Sequence, residues 1–230
     1  VYRGVIEYCR KEGLLRNVIQ RIKQPEHVRF NKRNISASGL HLLDAVHCVY
    51  DKPRTDAFLK EINRVVKPSS VVIEAGIGTG ILSFFAATKA KKVYGIEINR
   101  VIYRLAKNIM NSLSRNKIIV RHPQLLLGDA RKIAIPEKAD VIINENIYTG
   151  MFFEKQVQIM NSMHQHLKRD GVTIPAEMHL YVALCETHFM QPVSHKQLFV
   201  PELEKKIKFR ELSKPVQYAR LDFSKNVPIT

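Results

Sequence analysis

Apolar residues along the chain change period twice. Up to residue 66 they recur every three to four positions: Leu15, Val18, Ile19 and Ile22 form one stripe, Leu40, Leu43 and Tyr50 with His47 a second, and Phe58, Ile62, Val65 and Val66 a third. That spacing predicts three amphipathic helices, the first ended by Pro25 and the third opened by Pro53. From residue 69, short apolar runs of strand length alternate with helical stretches. Strands are expected at 70–75, 92–96, 124–127 and 140–144, and helices at 79–90, 100–114 and 154–167. Strands joined through helices pair in parallel, so the pattern predicts a doubly wound α/β sheet. After Gly171 and Pro175 a period of two takes over, as in 179–184 and 217–223, and predicts an antiparallel β appendage. The expected organisation is a helical segment over 1–67, a ligand-binding α/β domain over 68–175 and a β-rich unit over 176–230.

The first strand runs straight into a glycine turn, Val71-Val72-Ile73-Glu74-Ala75-Gly76-Ile77-Gly78-Thr79-Gly80. A buried strand that turns sharply into a helix needs residues that accept positive φ and admit a ligand close to the backbone, which Gly76, Gly78 and Gly80 do. The free N–H groups of the helix opening near Thr79 would face that ligand. The second strand ends in Glu97, seventeen residues past Gly80, where a carboxylate can accept from both hydroxyls of an unphosphorylated ribose. The glycine spacing is Gly-x-Gly-x-Gly rather than the Gly-x-Gly-x-x-Gly of dinucleotide sites, and Glu74 stands two residues before Gly76. A pyrophosphate selects uncompensated N–H groups, whereas S-adenosylmethionine carries an ammonium end that a carboxylate can hold directly or through water. Glu74 and Glu97 in register therefore favour S-adenosylmethionine, with S-adenosylhomocysteine as the product, over NAD or FAD.

Composition narrows the class further. At 230 residues, 45% hydrophobic and 25% charged, the chain can bury one sizeable core and an appendage, and disorder is not indicated. Three widely separated cysteines, Cys9, Cys48 and Cys185, suggest neither a disulfide framework nor a zinc site; they read as buried thiols in a reducing, cytoplasmic compartment. No apolar run reaches the roughly eighteen residues of a membrane span. The formal charge of +16 leaves RNA or an acidic partner open, but the excess is spread along the chain and is densest in residues 1–33, as on a solvated basic surface. His164 and His166 lie two apart on a predicted helix and share no face, so no metal site is expected.

After the fourth strand comes Asn144-Glu145-Asn146-Ile147-Tyr148-Thr149-Gly150-Met151-Phe152-Phe153-Glu154, the segment that in an open α/β sheet projects over the ligand crevice. Its two glutamates are nine residues apart. Together with the glycine turn, with Lys91-Lys92-Val93-Tyr94-Gly95-Ile96-Glu97 and with Thr173-Ile174-Pro175-Ala176-Glu177-Met178, it resembles the protein arginine methyltransferase family over roughly residues 40–190. The resemblance implies a Rossmann-like class I methyltransferase sheet followed by a β-barrel. It also implies a hairpin in which Glu145 and Glu154 grip the substrate guanidinium.

By the same resemblance Asp129 accepts from the adenine amino group, the backbone at Ile98 and Ala130 flanks the ring, and Arg54, in Asp51-x-x-Arg54, holds the methionine carboxylate. Relatives often work as dimers, so a protein substrate and a homodimer are implied. The chain departs from the family where Asn146-Ile147-Tyr148-Thr149 replaces its Trp-Met-Gly-Tyr, where Phe58 replaces a tyrosine, and in having no tryptophan at all. With 55 residues after Pro175 the barrel is expected to be reduced or cut short.

Paired carboxylates suit this chemistry. A guanidinium is a planar fork of donors with a pKa above about 12, and two carboxylates can grip it bidentately and aim one nitrogen at the methyl group. An enzyme acting on base amines would ordinarily carry an Asp/Asn-Pro-Pro-aromatic loop at this place, and a cytosine-C5 enzyme a nucleophilic cysteine. Neither is present, which argues against the common nucleic-acid chemistries; an unusual RNA substrate, a small-molecule methyltransferase and a non-catalytic cofactor-binding module stand as the alternatives.

Overall fold

The computed structural model describes residue 45 and residues 48–119, 121–147, 155–187 and 209–228. The two helices expected before Pro53 fall largely outside these residues. The third is helix α1, Lys52–Val65, with Pro53 in its first turn and Asp51 as N-cap, whose side chain accepts from the Arg54 N–H at 3.2 Å.

Five parallel strands form the centre: β1 (Val71–Ala75), β2 (Lys92–Glu97), β3 (Gln124–Leu127), β4 (Ala139–Asn144) and β5 (Leu167–Ile174). They are ordered β3-β2-β1-β4-β5. Val72 pairs with Val93 on one side and Val141 on the other, so β1 is central, and all five of its residues are buried. Connections run outward from β1 in both directions, and strand order reverses between β1 and β4. A crevice opens at such a reversal, beyond the carboxyl ends of the strands.

Alternation along the strands sorts their side chains onto two faces. Val72, Val93, Val141 and Ile143 pack with α1, α2 (Ile81–Ala87) and α3 (Arg100–Arg115), through Ile62, Phe84, Phe85, Met110 and Leu113. Val71, Ile73, Tyr94, Ile96 and Ile142 face α4 (Gln156–Met163), through Met160 and Met163. Phe223 and Val227, from the far end of the described chain, complete this second face. The Phe223 N–H donates to the Ala176 carbonyl at 2.8 Å, and Asn161 brackets Val227 with two hydrogen bonds of 2.7 and 2.9 Å.

Two expectations are corrected. Helix α4 does not run to 167: it ends at Met163, a short 3-10 turn spans His164–His166, and the chain then enters β5. Lys168-Arg169-Asp170-Gly171 hid this strand from the periodicity. An edge strand pairs on one side only and tolerates charge, and its ladder shifts register opposite Ala139 and Val141. The thiols also differ from expectation, since Cys48 is half-buried and Cys185 exposed; Cys9 lies outside the described residues.

Beyond a cis Ile174–Pro175 peptide the chain forms antiparallel pairs, as the period of two predicts. Strand β6 (Glu177–Val182) pairs with β9 (Val216–Asp222), and β7 (Cys185–Thr187) with β8 (Phe209–Glu211). Among the described residues no helix is long and apolar enough to cross a membrane.

Candidate functional site

The glycine turn leaves β1 at the crevice. Gly76, Gly78 and Gly80 adopt φ of 77°, 57° and 87°, the left-handed region that favours glycine. The N–H groups of Gly76 and Ile77 both donate to the Ile96 carbonyl at 2.9 Å, which ties the turn to the end of β2. Helix α2 starts at Ile81, with Gly80 as N-cap, rather than near Thr79. A Cβ on Gly76 would stand 2.5 Å from the Asn146 amide oxygen, and one on Gly80 2.5 Å from the Met110 methyl. A Cβ on Gly78 would meet nothing within 4 Å. At Gly78 the turn is therefore open to a ligand, and a methyl group there would fill the cradle.

Two buried acids line this turn. Glu97, only 5% exposed, accepts from the Gly78 N–H at 3.1 Å and from the Asn99 N–H at 2.8 Å. Burial raises its pKa and these backbone donors oppose the rise. Each oxygen retains acceptor capacity, the requirement for holding a ribose diol. Glu74, 3% exposed, accepts from the Ser83 hydroxyl; desolvation pushes its carboxyl up to about 8 against that hydrogen bond. The nearby Arg54 guanidinium also opposes the rise.

Asp129 follows β3 in a turn whose Gly128 N–H donates to the Glu97 carbonyl at 2.9 Å. Its carboxylate is engaged by Arg131, through the backbone N–H at 3.0 Å and Nε at 2.9 and 3.1 Å, and this pairing holds its pKa low. Next to it Ala130 is buried, while Ile98 is exposed at the rim. The structure thus brings Gly76, Gly78, Gly80, Glu74 and Glu97 together around the turn. It also turns Asp129 toward Arg131.

On the other side of the crevice Arg54 forms an ion pair with Glu145. The guanidinium also donates from Nη1 to the Cys48 carbonyl at 3.3 Å and lies 5.4 Å over the Phe58 ring, while its Nε–H is buried with no partner among the described residues. Glu154, the second glutamate of the predicted pair, lies outside the described residues. Among the described residues no group of three His, Cys, Asp or Glu side chains is placed to hold a metal ion.

Sequence reasoning missed an amide cluster at the root of the same loop. The Asn144 side chain donates to the Gln156 carbonyl at 3.0 Å, and Gln156 Nε2 donates back to the Asn144 carbonyl at 2.8 Å. Gln156 Oε1 accepts from the Asn146 N–H at 2.8 Å, and Asn146 Nδ2 donates to the Ala75 carbonyl at 3.0 Å. The cluster joins the segment beginning at Asn144 to α4 and seats Asn146 directly beneath Gly76. The one sequence signal was Asn144 itself, a polar end to the apolar run Val141-Ile142-Ile143. Gly95 was missed too: a Cβ there would stand 2.4 Å from the Ile77 methyl that supports the turn.

The parallel sheet, its strand order and the acid-lined glycine turn define a Rossmann-like class I methyltransferase domain, for which the cofactor is S-adenosylmethionine. Residues 72–171 match the family model described as a methyltransferase domain. Over about three quarters of its length the chain resembles the protein arginine methyltransferases.

An uncharacterized protein of Methanocaldococcus jannaschii is 38% identical over 181 residues, 78% of this chain and 64% of that one. The histone-arginine methyltransferase CARMER of Drosophila erecta is 28% identical over 184 residues, 75% of this chain and 34% of that one. This chain therefore spans less than two thirds of either relative. Among solved structures, the Trypanosoma brucei PRMT1 enzyme–prozyme heterotetrameric complex with AdoHcy matches with a TM-score of 0.63 at 20% identity, covering 80% of this chain and 63% of that one. Arabidopsis thaliana protein arginine methyltransferase 10 matches with a TM-score of 0.50 at 23% identity, covering 62% and 42%. At these identities the structures show a shared fold.

Proposed function

We propose that this chain is an S-adenosylmethionine-dependent methyltransferase that methylates a guanidinium nitrogen on a protein substrate. The observation that carries the reading is Glu145: a half-buried carboxylate at the crevice, 14% exposed, whose partner in the structure is already a guanidinium, that of Arg54. A site that holds one guanidinium there has the geometry and charge for another.

When bound, S-adenosylmethionine supplies a methyl group on a sulfonium sulfur and leaves as the thioether S-adenosylhomocysteine. Glu97 would hold the ribose hydroxyls, Glu74 the ammonium and Arg54 the carboxylate, with the backbone of Gly78 against the ligand and Ile98 and Ala130 flanking the adenine. Asp129 would accept from the adenine amino group while sharing its carboxylate with Arg131. Glu145, with Glu154, would fix the plane of the substrate guanidinium, aim one terminal nitrogen at the methyl, and take the proton that nitrogen loses.

The test is transfer of tritium-labelled methyl from the cofactor into a cell lysate, followed by separate protease and nuclease digestion and hydrolysis to amino acids. Label that resists nuclease, is released by protease and is recovered as methylarginine is the expected result. Label released only by nuclease overturns the protein reading.

A further inference from the structure

We propose that Arg54 is a positioning residue shared between two anions, the cofactor's carboxylate and Glu145, so that cofactor binding loosens Glu145 for the substrate. This rests on the reading above, in which Glu145 receives the substrate guanidinium. The two residues are 91 positions apart in sequence and meet at the crevice with side chains 20% and 14% exposed. Among the described residues Glu145 pairs with no other cation. An incoming guanidinium must therefore displace or share Arg54 to reach it. The need to break a half-buried charge-assisted pair holds substrate off by about an order of magnitude.

The donors of Arg54 show where a second anion would bind. Nη1 is committed to the Cys48 carbonyl and Nη2 to Glu145, while Nε–H is buried with no acceptor among the described residues. A buried donor without a partner is costly to leave so, and here it lies on the side edge of the fork. A carboxylate taking that edge bidentately binds Nε and shares Nη2 with Glu145. Two carboxylates on one cation repel each other, so the first weakens the hold on the second.

The coupling is reciprocal. If a cofactor carboxylate loosens Glu145, then Glu145 weakens the binding of that carboxylate by the same factor. Removing the charge at 145 should tighten a ligand that has a carboxylate and leave unchanged a ligand without one.

Calorimetric titration of the whole chain with S-adenosylhomocysteine and with 5′-methylthioadenosine, which lacks the amino-acid end, reads this directly. Glu145→Gln is expected to tighten S-adenosylhomocysteine about tenfold, a coupling typical of linked sites, with 5′-methylthioadenosine unchanged. Glu145→Asp, one methylene shorter and still charged, should give a smaller gain and serves if the glutamine variant does not fold. In an Arg54→Lys background the gain should disappear. Unchanged or weakened S-adenosylhomocysteine binding in Glu145→Gln, or equal tightening of both ligands, overturns the proposal. A chain that binds neither ligand overturns it together with the cofactor site. Absence of methylarginine with the calorimetric pattern intact would sink only the substrate assignment.

Discussion

The three glycines of the turn make different demands, and single alanine substitutions should separate the fold from the ligand. All three carry positive φ, so each alanine bears about 1–2 kcal/mol of left-handed strain. At Gly80 the added methyl meets the flexible end of Met110, which can swing aside, so strain is most of the cost. At Gly76 it meets the Asn146 amide, which cannot swing without losing its bond to the Ala75 carbonyl. Adding that loss brings Gly76→Ala to about 2–5 kcal/mol. At Gly78 the methyl enters open space, so stability falls by the strain alone.

The same Gly78 methyl occupies the cradle, and overpacking of about 1–3 kcal/mol corresponds to roughly a tenfold to hundredfold loss of cofactor affinity. Urea denaturation followed by circular dichroism gives the stabilities, and equilibrium dialysis with labelled S-adenosylhomocysteine gives the affinities. Gly78→Ala with full affinity, or with a stability loss matching that of Gly76→Ala, would refute the reasoning.

Three further substitutions probe the rest of the structure. Burial raises the Glu74 pKa above that of the unfolded chain, so stability is full below the ordinary carboxylate range and declines as pH rises toward about 8. The decline is at most about 1.4 kcal/mol per pH unit, and Glu74→Gln should flatten it in urea denaturation at a series of pH values; parallel wild-type and variant curves would contradict this. Gln156→Ala leaves the Asn144 carbonyl and the Asn146 N–H without their partner and should cost about 2–3 kcal/mol in the same assay. A cost near zero would mean that the amide cluster is incidental. Phe223→Ala should cost about 3–5 kcal/mol if the distal segment completes the sheet's second face, and far less if it does not.

Strands β1, β2 and β4 are buried on both faces and read as nearly continuous apolar runs, and the edge strand β3 keeps Leu125, Leu126 and Leu127, which is why β1 to β4 were legible to within a residue or so. Strand β5 was not, because an edge position accepts Lys168, Arg169 and Asp170 and so erases the apolar signal. The turn and its two acids were legible for a different reason. Gly76, Gly78, Gly80 and Glu97 sit at separations fixed by one strand–turn–helix–strand unit, so local spacing carries their geometry.

Contacts that close across the fold have no such local trace. Arg54 and Glu145 were each singled out for a separate ligand, and only the packing of α1 against the crevice shows that they grip each other. Asn144, Asn146 and Gln156 read as ordinary polar residues flanking a loop until their mutual hydrogen bonds are seen. Phe223 likewise looks like the end of an alternating strand, although it packs fully buried beside Met160 and Met163.

The central claim is that the acid-lined turn at the end of β1 is built for an adenosyl amino acid. Calorimetric titration of the unmodified chain with S-adenosylhomocysteine and, separately, with NAD tests it most directly. The account predicts saturable one-to-one binding of S-adenosylhomocysteine, abolished by Glu97→Ala, and no heat of binding with NAD. Tight binding of NAD with no response to S-adenosylhomocysteine would contradict it.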